Sequence, residues 1–238
     1  MQTVAQRAGV SLATVSHVLN GTRFVSKEVT ERVQQAIKEI GYVPNAIARD
    51  LARNSTSTIG LVFSLSVYNF FFDIISAIEK ECQRAGLAVL LFDSGDDPAK
   101  ELRIIRDLHQ RRVDGIILAP LGGPESNAIR YLQENRVPAV LVDGLADSGF
   151  DQVGLDNRAA VGMIVDHLYD LGHRRIAMIP GHSTYTPTAE RLAAFRAGLS
   201  ARGLLDESLI APPANTLEQA ATRAADLLGG ATAFPDAI

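Results

Sequence analysis

The 238-residue chain has one cysteine, few aromatic residues (6%), and no apolar run near the roughly 18 residues that a membrane span needs. A single thiol, Cys82, cannot close an intramolecular disulfide, so a disulfide-stapled scaffold is excluded and a reducing compartment is expected. Cys82 lies in the helix-like stretch "ISAIEKECQRAG" and reads as a small packing residue. The opening "MQTVAQRAGV" lacks the charged segment and apolar stretch of a secretory signal, so the expected location is cytoplasmic, with no membrane partner. Catalytic signatures are missing too: no G-x-S-x-G, no G-x-x-x-x-G-K, no G-x-G-x-x-G and no metal-ligand histidine cluster. His109, His167, His173 and His182 are scattered along the chain. Nothing here points to an enzyme, a metal or a cofactor.

What is present is a 47% hydrophobic, mainly aliphatic composition that suits one or two α/β domains. The net charge of -4 hides an asymmetry. Residues 1–58 carry seven Lys/Arg against four acids, a net +3, which leaves -7 for residues 59–238. A basic head on an acidic body suits a head that meets a polyanion, although three charges also suit a solvated face.

The head shows helical spacing in three pieces. Val4, Ala5 and Ala8 share one face; Val15, Val18 and Leu19 another; Val29, Val33, Ala36, Ile37 and Ile40 a third. Gly9 stands at the first turn, Ser11 and Ser26 fit as N-caps of the second and third helices, and Gly41 is placed to end the third. A tight turn between two short helices describes a helix-turn-helix unit. With Val15, Val18 and Leu19 turned inward, Leu12, Ala13, Ser16 and His17 share the outward face. Small side chains there let a backbone approach base edges, hydroxyls can bond phosphates or bases, and a bland solvated face would favour Lys and Glu. Pro44 stops the preceding helix, "NAIARDLA" spans two helical turns that need a partner to be stable, and 54–58 reads as a linker.

From Ile59 short aliphatic runs alternate with amphipathic stretches. Strands are expected at "IGLVFSL", "LAVLLF", "GIILAP", "PAVLVD", "QVGLD" and "RIAMI". Helices are expected over 72–85, 98–111, 125–135, 157–171, 188–202 and 216–228. This pattern predicts a doubly wound parallel α/β sheet covered on both faces, with ligands at the carboxyl ends of its strands. The final "GGATAFPDAI" reads as a loop and the start of a further strand, so an incomplete last domain is expected.

"VAQRAGVSLATVSHVLNG", "VSKEVTERVQQAIKEIGYVPNAIARDLA", "STSTIGLVFS", "RRVDGIILAP", "VPAVLVD", "VGLDNRAA", "LGHRRIAMIPG" and "ERLAAFRAGL" together resemble the LacI/GalR (lactose-repressor) family of bacterial transcription regulators. The resemblance implies a helix-turn-helix head (1–43), a hinge helix and linker (44–58), and a periplasmic-binding-protein-like effector-sensing core (59–238) that ends before the family's later strands. It implies a homodimer on a palindromic double-stranded DNA operator, responding to a small effector, a sugar or related metabolite.

By that resemblance, Leu12 and Ala13 take the variable pair that sets operator preference, and Ser16 and His17 further base-reading positions. Ser11, Thr14, Asn20 and Ser26 take phosphate-contacting or capping positions. His17 departs from the family's common Arg and offers one donor and one acceptor in place of a fork. Asn45 and Leu51 fall in the hinge, Leu51 as the leucine wedged into the minor groove; by itself it reads as a packing residue. In the body, Phe70 and Phe71 of "NFFFD" are placed to stack on a ring-shaped ligand, though at least one of Phe70–Phe72 must be core. Asp143 and Arg191 are expected to bind effector or, alternatively, to brace the lobes as a buried pair. Asp156 and Asn157 are expected to cap the following helix. Two rival readings are a truncated non-inducible DNA-binding product and a solute-binding protein without gene-control activity.

Overall fold

The computed structural model describes residues 1–42, 55–65, 68–123, 125–143, 148–181, 186–229 and 234–238, with 68–70 described by backbone alone. The chain divides into two compact units, Met1–Thr56 and Ser57–Ile238.

The first unit holds α1 (Gln2–Ala8), α2 (Leu12–Asn20) and α3 (Lys27–Ile40). Gly9 adopts φ 63°, a conformation that costs a side-chain-bearing residue, and so lets the chain reverse between α1 and α2. Ser11 then caps α2 by accepting the Thr14 N–H at 3.1 Å. Ser26 occupies the N-cap position of α3 but makes no side-chain cap bond there. Val4, Ala5, Ala8, Val15, Val33 and Ala36 form the buried centre, with Val18, Leu19, Ile37 and Tyr42 packed around it. Burying Val15 and Val33 in full is worth roughly 1.5–3 kcal/mol each. Ile40, expected on the inward face, is exposed at the last position of α3. Arg7 donates Nε to Glu39 at 2.8 Å and ties α1 to the end of α3.

The second unit contains β1 (Thr58–Phe63), α4 (Tyr68–Arg84), β2 (Ala88–Asp93), α5 (Pro98–Gln110) and β3 (Gly115–Leu118). It continues with α6 (Asn127–Glu134), β4 (Ala139–Val142), β5 (Asp151–Val153), α7 (Asn157–Asp170), α8 (Thr186–Ser200) and α9 (Leu217–Gly229). The strands form one parallel sheet in the order β2-β1-β3-β4-β5. Alternation along β1 sends Val62 to the face covered by α5 and α6, and Leu61 and Phe63 to the face covered by α4. Gly60 lets α5 approach: a Cβ there would lie 2.6 Å from a Leu108 methyl.

Two expectations need correction. Coverage on both faces holds for the central strands, whereas β5 is exposed throughout and β2 has an exposed Leu91, as befits the two edges. "RIAMI" forms no ladder among the described residues; Ile176 bridges Ala237 and Met178 bridges Ile210, each as a single parallel pair. An aliphatic run becomes a strand only where a neighbour offers a matching row of N–H and C=O groups. Here α7 and α8 instead pack over Ile176 through Val161, Val165, Phe195 and Leu199.

Candidate functional site

On the head, the cap at Ser11 starts α2 and fixes the rotation of everything after it. Leu12 is 52% exposed, Ala13 is exposed, and Thr14, Ser16, His17 and Asn20 are half-buried along the same helix. The hydroxyls and amides are already arranged: Ser11 Oγ and Thr14 Oγ1 are 2.9 Å apart, and Asn20 Nδ2 donates to Ser16 Oγ at 3.2 Å. His17 Nδ1 meets Thr22 Oγ1 at 2.8 Å. Sequence reasoning passed over Thr22, whose contact depends on the Gly21 turn with φ 63°. Phe24, 96% exposed in the α2–α3 loop, was also passed over. Ser26 is exposed beside it. Asn45 and Leu51, and with them the hinge helix, lie outside the described residues.

In the second unit a polar cluster joins the end of β4 to the start of α7 and to α8. Asp143 follows β4 with φ 54°, held by its N–H donating to Val153 O at 2.8 Å. Burial pushes its carboxyl above the usual range, while the Arg191 charge and a Leu155 N–H pull it back and Glu190 adds to the rise. Arg191 Nε donates to Asn157 Oδ1 at 2.8 Å, and Asn157 Nδ2 donates to Glu190 Oε2 at 2.9 Å. Asn157 is 5% exposed, so this buried amide sets the guanidinium and one carboxylate side by side. Asp143 and Arg191 thus share a region and feel each other's charge, while the hydrogen bond of Arg191 described here goes to Asn157. Asp156 caps α7 by accepting the Ala159 N–H at 2.9 Å, as expected from its position. Asn157, expected to share that capping, instead links α7 to α8.

Phe71 corrects an expectation. Its ring is buried against Phe63, centroids 5.1 Å apart, among Leu61, Ala119 and Val142. It supplies the core residue that the aromatic run requires, because the helix begins at Tyr68 and turns position 71 toward the sheet. The side chain of Phe70 lies outside the described residues. Sequence reasoning also missed Glu101, wholly buried in the first turn of α5. Its Oε2 accepts the Leu121 N–H at 2.9 Å, Oε1 has no hydrogen-bond partner among the described residues, and burial pushes the pKa up to about 8. Its signal was faint: one acid inside an otherwise ordinary amphipathic helix.

The geometry defines a helix-turn-helix head and, in the same chain, a parallel α/β unit with charged groups beyond its strand ends. The chain belongs to the LacI family: residues 1–45 match the bacterial regulatory proteins of that family, and 56–238 match the periplasmic binding proteins and sugar-binding domain of the LacI family. It is 36% identical over 205 residues to the ribose operon repressor of Escherichia coli K12, covering 86% of this chain and 62% of that protein. It is 38% identical over 219 residues to the transcriptional repressor PurR of Klebsiella pneumoniae strain 342, covering 91% and 62%. The chain therefore spans less than two thirds of the length of these relatives. These relatives are transcriptional repressors, not enzymes. Among solved structures, the lac repressor dimer bound to operator and the anti-inducer ONPF matches with a TM-score of 0.82 at 26% identity, over 95% of this chain and 68% of that one. The transcriptional regulator CelR in complex with cellobiose matches with a TM-score of 0.59 at 29% identity, over 94% and 71%. No helix among the described residues is long and apolar enough to cross a membrane.

Proposed function

We propose that this chain is a sequence-specific DNA-binding repressor that works as a homodimer, responds to a small polyhydroxylated effector, and acts in the cytoplasm without catalytic activity. The observation that carries the reading is α2: capped at Ser11, packed inward through Val15, and presenting Leu12, Ala13, Ser16 and His17 on its other side. A helix so mounted enters a major groove with its first turns against the bases. Ser11, Thr14, Asn20 and Ser26 contact phosphates; Asn45 and Leu51, in a hinge over 44–58 between the head at 1–43 and the sensor at 59–238, reach the minor groove, where the leucine wedges open a base step.

In the sensor, Asp143 accepts hydrogen bonds from effector hydroxyls and Arg191 donates to its oxygens, the guanidinium held in place by Asn157. Phe70 flanks the same ligand. Effector and operator binding are coupled, so effector changes operator affinity by the same factor by which operator changes effector affinity.

Selection of duplexes from a random pool by the purified chain, followed by gel shift, tests the reading. A palindrome is expected, with His17→Ala altering base preference and Leu51→Ala weakening binding at least tenfold, the loss of roughly 1.4 kcal/mol or more. Recovery of no palindrome, or equal binding by Leu51→Ala, would overturn it.

A further inference from the structure

One contact on the head joins α2 to the loop after it: His17 Nδ1 and Thr22 Oγ1 lie 2.8 Å apart. Thr22 is exposed and follows Gly21, whose left-handed turn ends α2 and whose N–H donates to His17 O at 2.9 Å. The chain therefore folds back on its own last helical turn, and a hydroxyl meets the imidazole five residues earlier. We propose that Thr22 is a positioning residue for His17: it fixes the imidazole plane and occupies Nδ1, so that Nε2 is the ring nitrogen offered to a base edge. The inference rests on the DNA-binding reading above.

A histidine χ2 is broad and roughly two-fold, so an unrestrained ring on a helix surface exchanges Nδ1 and a carbon at any given point in space. One hydrogen bond to Nδ1 removes that exchange. Because a hydroxyl both donates and accepts, Thr22 is compatible with either neutral tautomer, but in each the role of Nε2 is then settled. With Thr22 donating, Nε2 carries the proton and suits guanine O6 or N7, or thymine O4. With Thr22 accepting, Nε2 is the acceptor and suits the amino group of adenine or cytosine. Base preference at this position is thus a property of the His17–Thr22 pair. Asn20 acts alongside in the same sense, its amide holding the Ser16 hydroxyl at 3.2 Å.

The test uses the full chain as wild type, Thr22→Val, Thr22→Ala, Thr22→Ser and His17→Ala. Each is titrated against the palindrome selected by the wild type, against duplexes carrying every base pair at each half-site position, and against a scrambled duplex. Thr22→Val and Thr22→Ala are expected to flatten the preference at the position sensitive to His17→Ala by about 2- to 12-fold, the worth of one net hydrogen bond. Preferences elsewhere and scrambled-duplex binding stay within about twofold, and Thr22→Ser restores the wild-type pattern. Imidazole nitrogen spectra should show a hydrogen-bonded Nδ1 of His17 in the wild type, and loss of that signature in the alanine variant. If Thr22→Val and Thr22→Ala both keep the preference, if Thr22→Ser fails to restore it, or if the Nδ1 signature of His17 is unchanged in the alanine variant, the positioning role is overturned while DNA reading by His17 stands. A wild type with no preferred duplex overturns both.

Discussion

Glu101 is the residue whose chemistry departs furthest from its appearance in the sequence. Desolvation raises its pKa from 4.5 to about 8, against which a single bond from the Leu121 N–H pulls weakly. Between those two values the folded chain keeps a proton that the unfolded chain releases, so stability falls as pH rises through the window. The contribution is most favourable below 4.5 and fully lost above about 8. Glu101→Gln keeps an acceptor for Leu121 and carries no charge. Urea denaturation at pH 5.5, 7 and 8.5 is expected to show the wild type losing up to about 1.4 kcal/mol per pH unit relative to the variant. Parallel pH profiles would contradict this account. At the same scale, the outward placement of Leu12 and Ala13 was legible in the spacing of α2, since inward Val15 settles the rotation of its neighbours. The burial of Phe71 and the link from Asn157 to Arg191 and Glu190 were not legible, because each depends on where a second, distant element places its partner.

Elements were read best where their ends carry local chemistry. Gly9 and Ser11 mark the start of α2 in the sequence and mark it in the fold, since caps act within three or four residues. The two serine caps are not equivalent. Ser11 bonds the Thr14 N–H, whereas Ser26 makes no such bond. Ser11→Ala is accordingly expected to cost the head about 1 kcal/mol and Ser26→Ala to stay within about 0.5 kcal/mol, measured by thermal melting followed through helical circular dichroism. Equal losses from the two changes would show that capping does not distinguish them. The parallel strands β1, β3 and β4 were equally plain as buried aliphatic runs, while "RIAMI" shows the limit of the signal. Its pattern is that of a strand, but pairing is a relation between segments and its partners here are single residues.

For the molecule as a whole, the charge divides as the two units do: +3 over residues 1–58 and -7 over 59–238. On the proposed function, an overall acidic chain must meet DNA through local charge, so operator affinity is expected to fall steeply with salt as counterions return to the phosphates. Log affinity plotted against log salt concentration is expected to be linear with a slope more negative than about -3, equivalent to more than about three phosphates neutralised at roughly 0.9 each. A flat plot would place the binding energy elsewhere than in phosphate contacts.

The sequence by itself determined the helix-turn-helix spacing, the α/β alternation and the separation of charge, because these depend on periodicity, caps and composition along a contiguous stretch. Only the tertiary structure decided which aromatic is core, which acid holds a proton, how Asn157 aligns Arg191 with Glu190, and how Thr22 meets His17. Those outcomes are set by burial and by hydrogen-bond geometry between residues that chain reversal brings together, and neither quantity exists until the chain has folded.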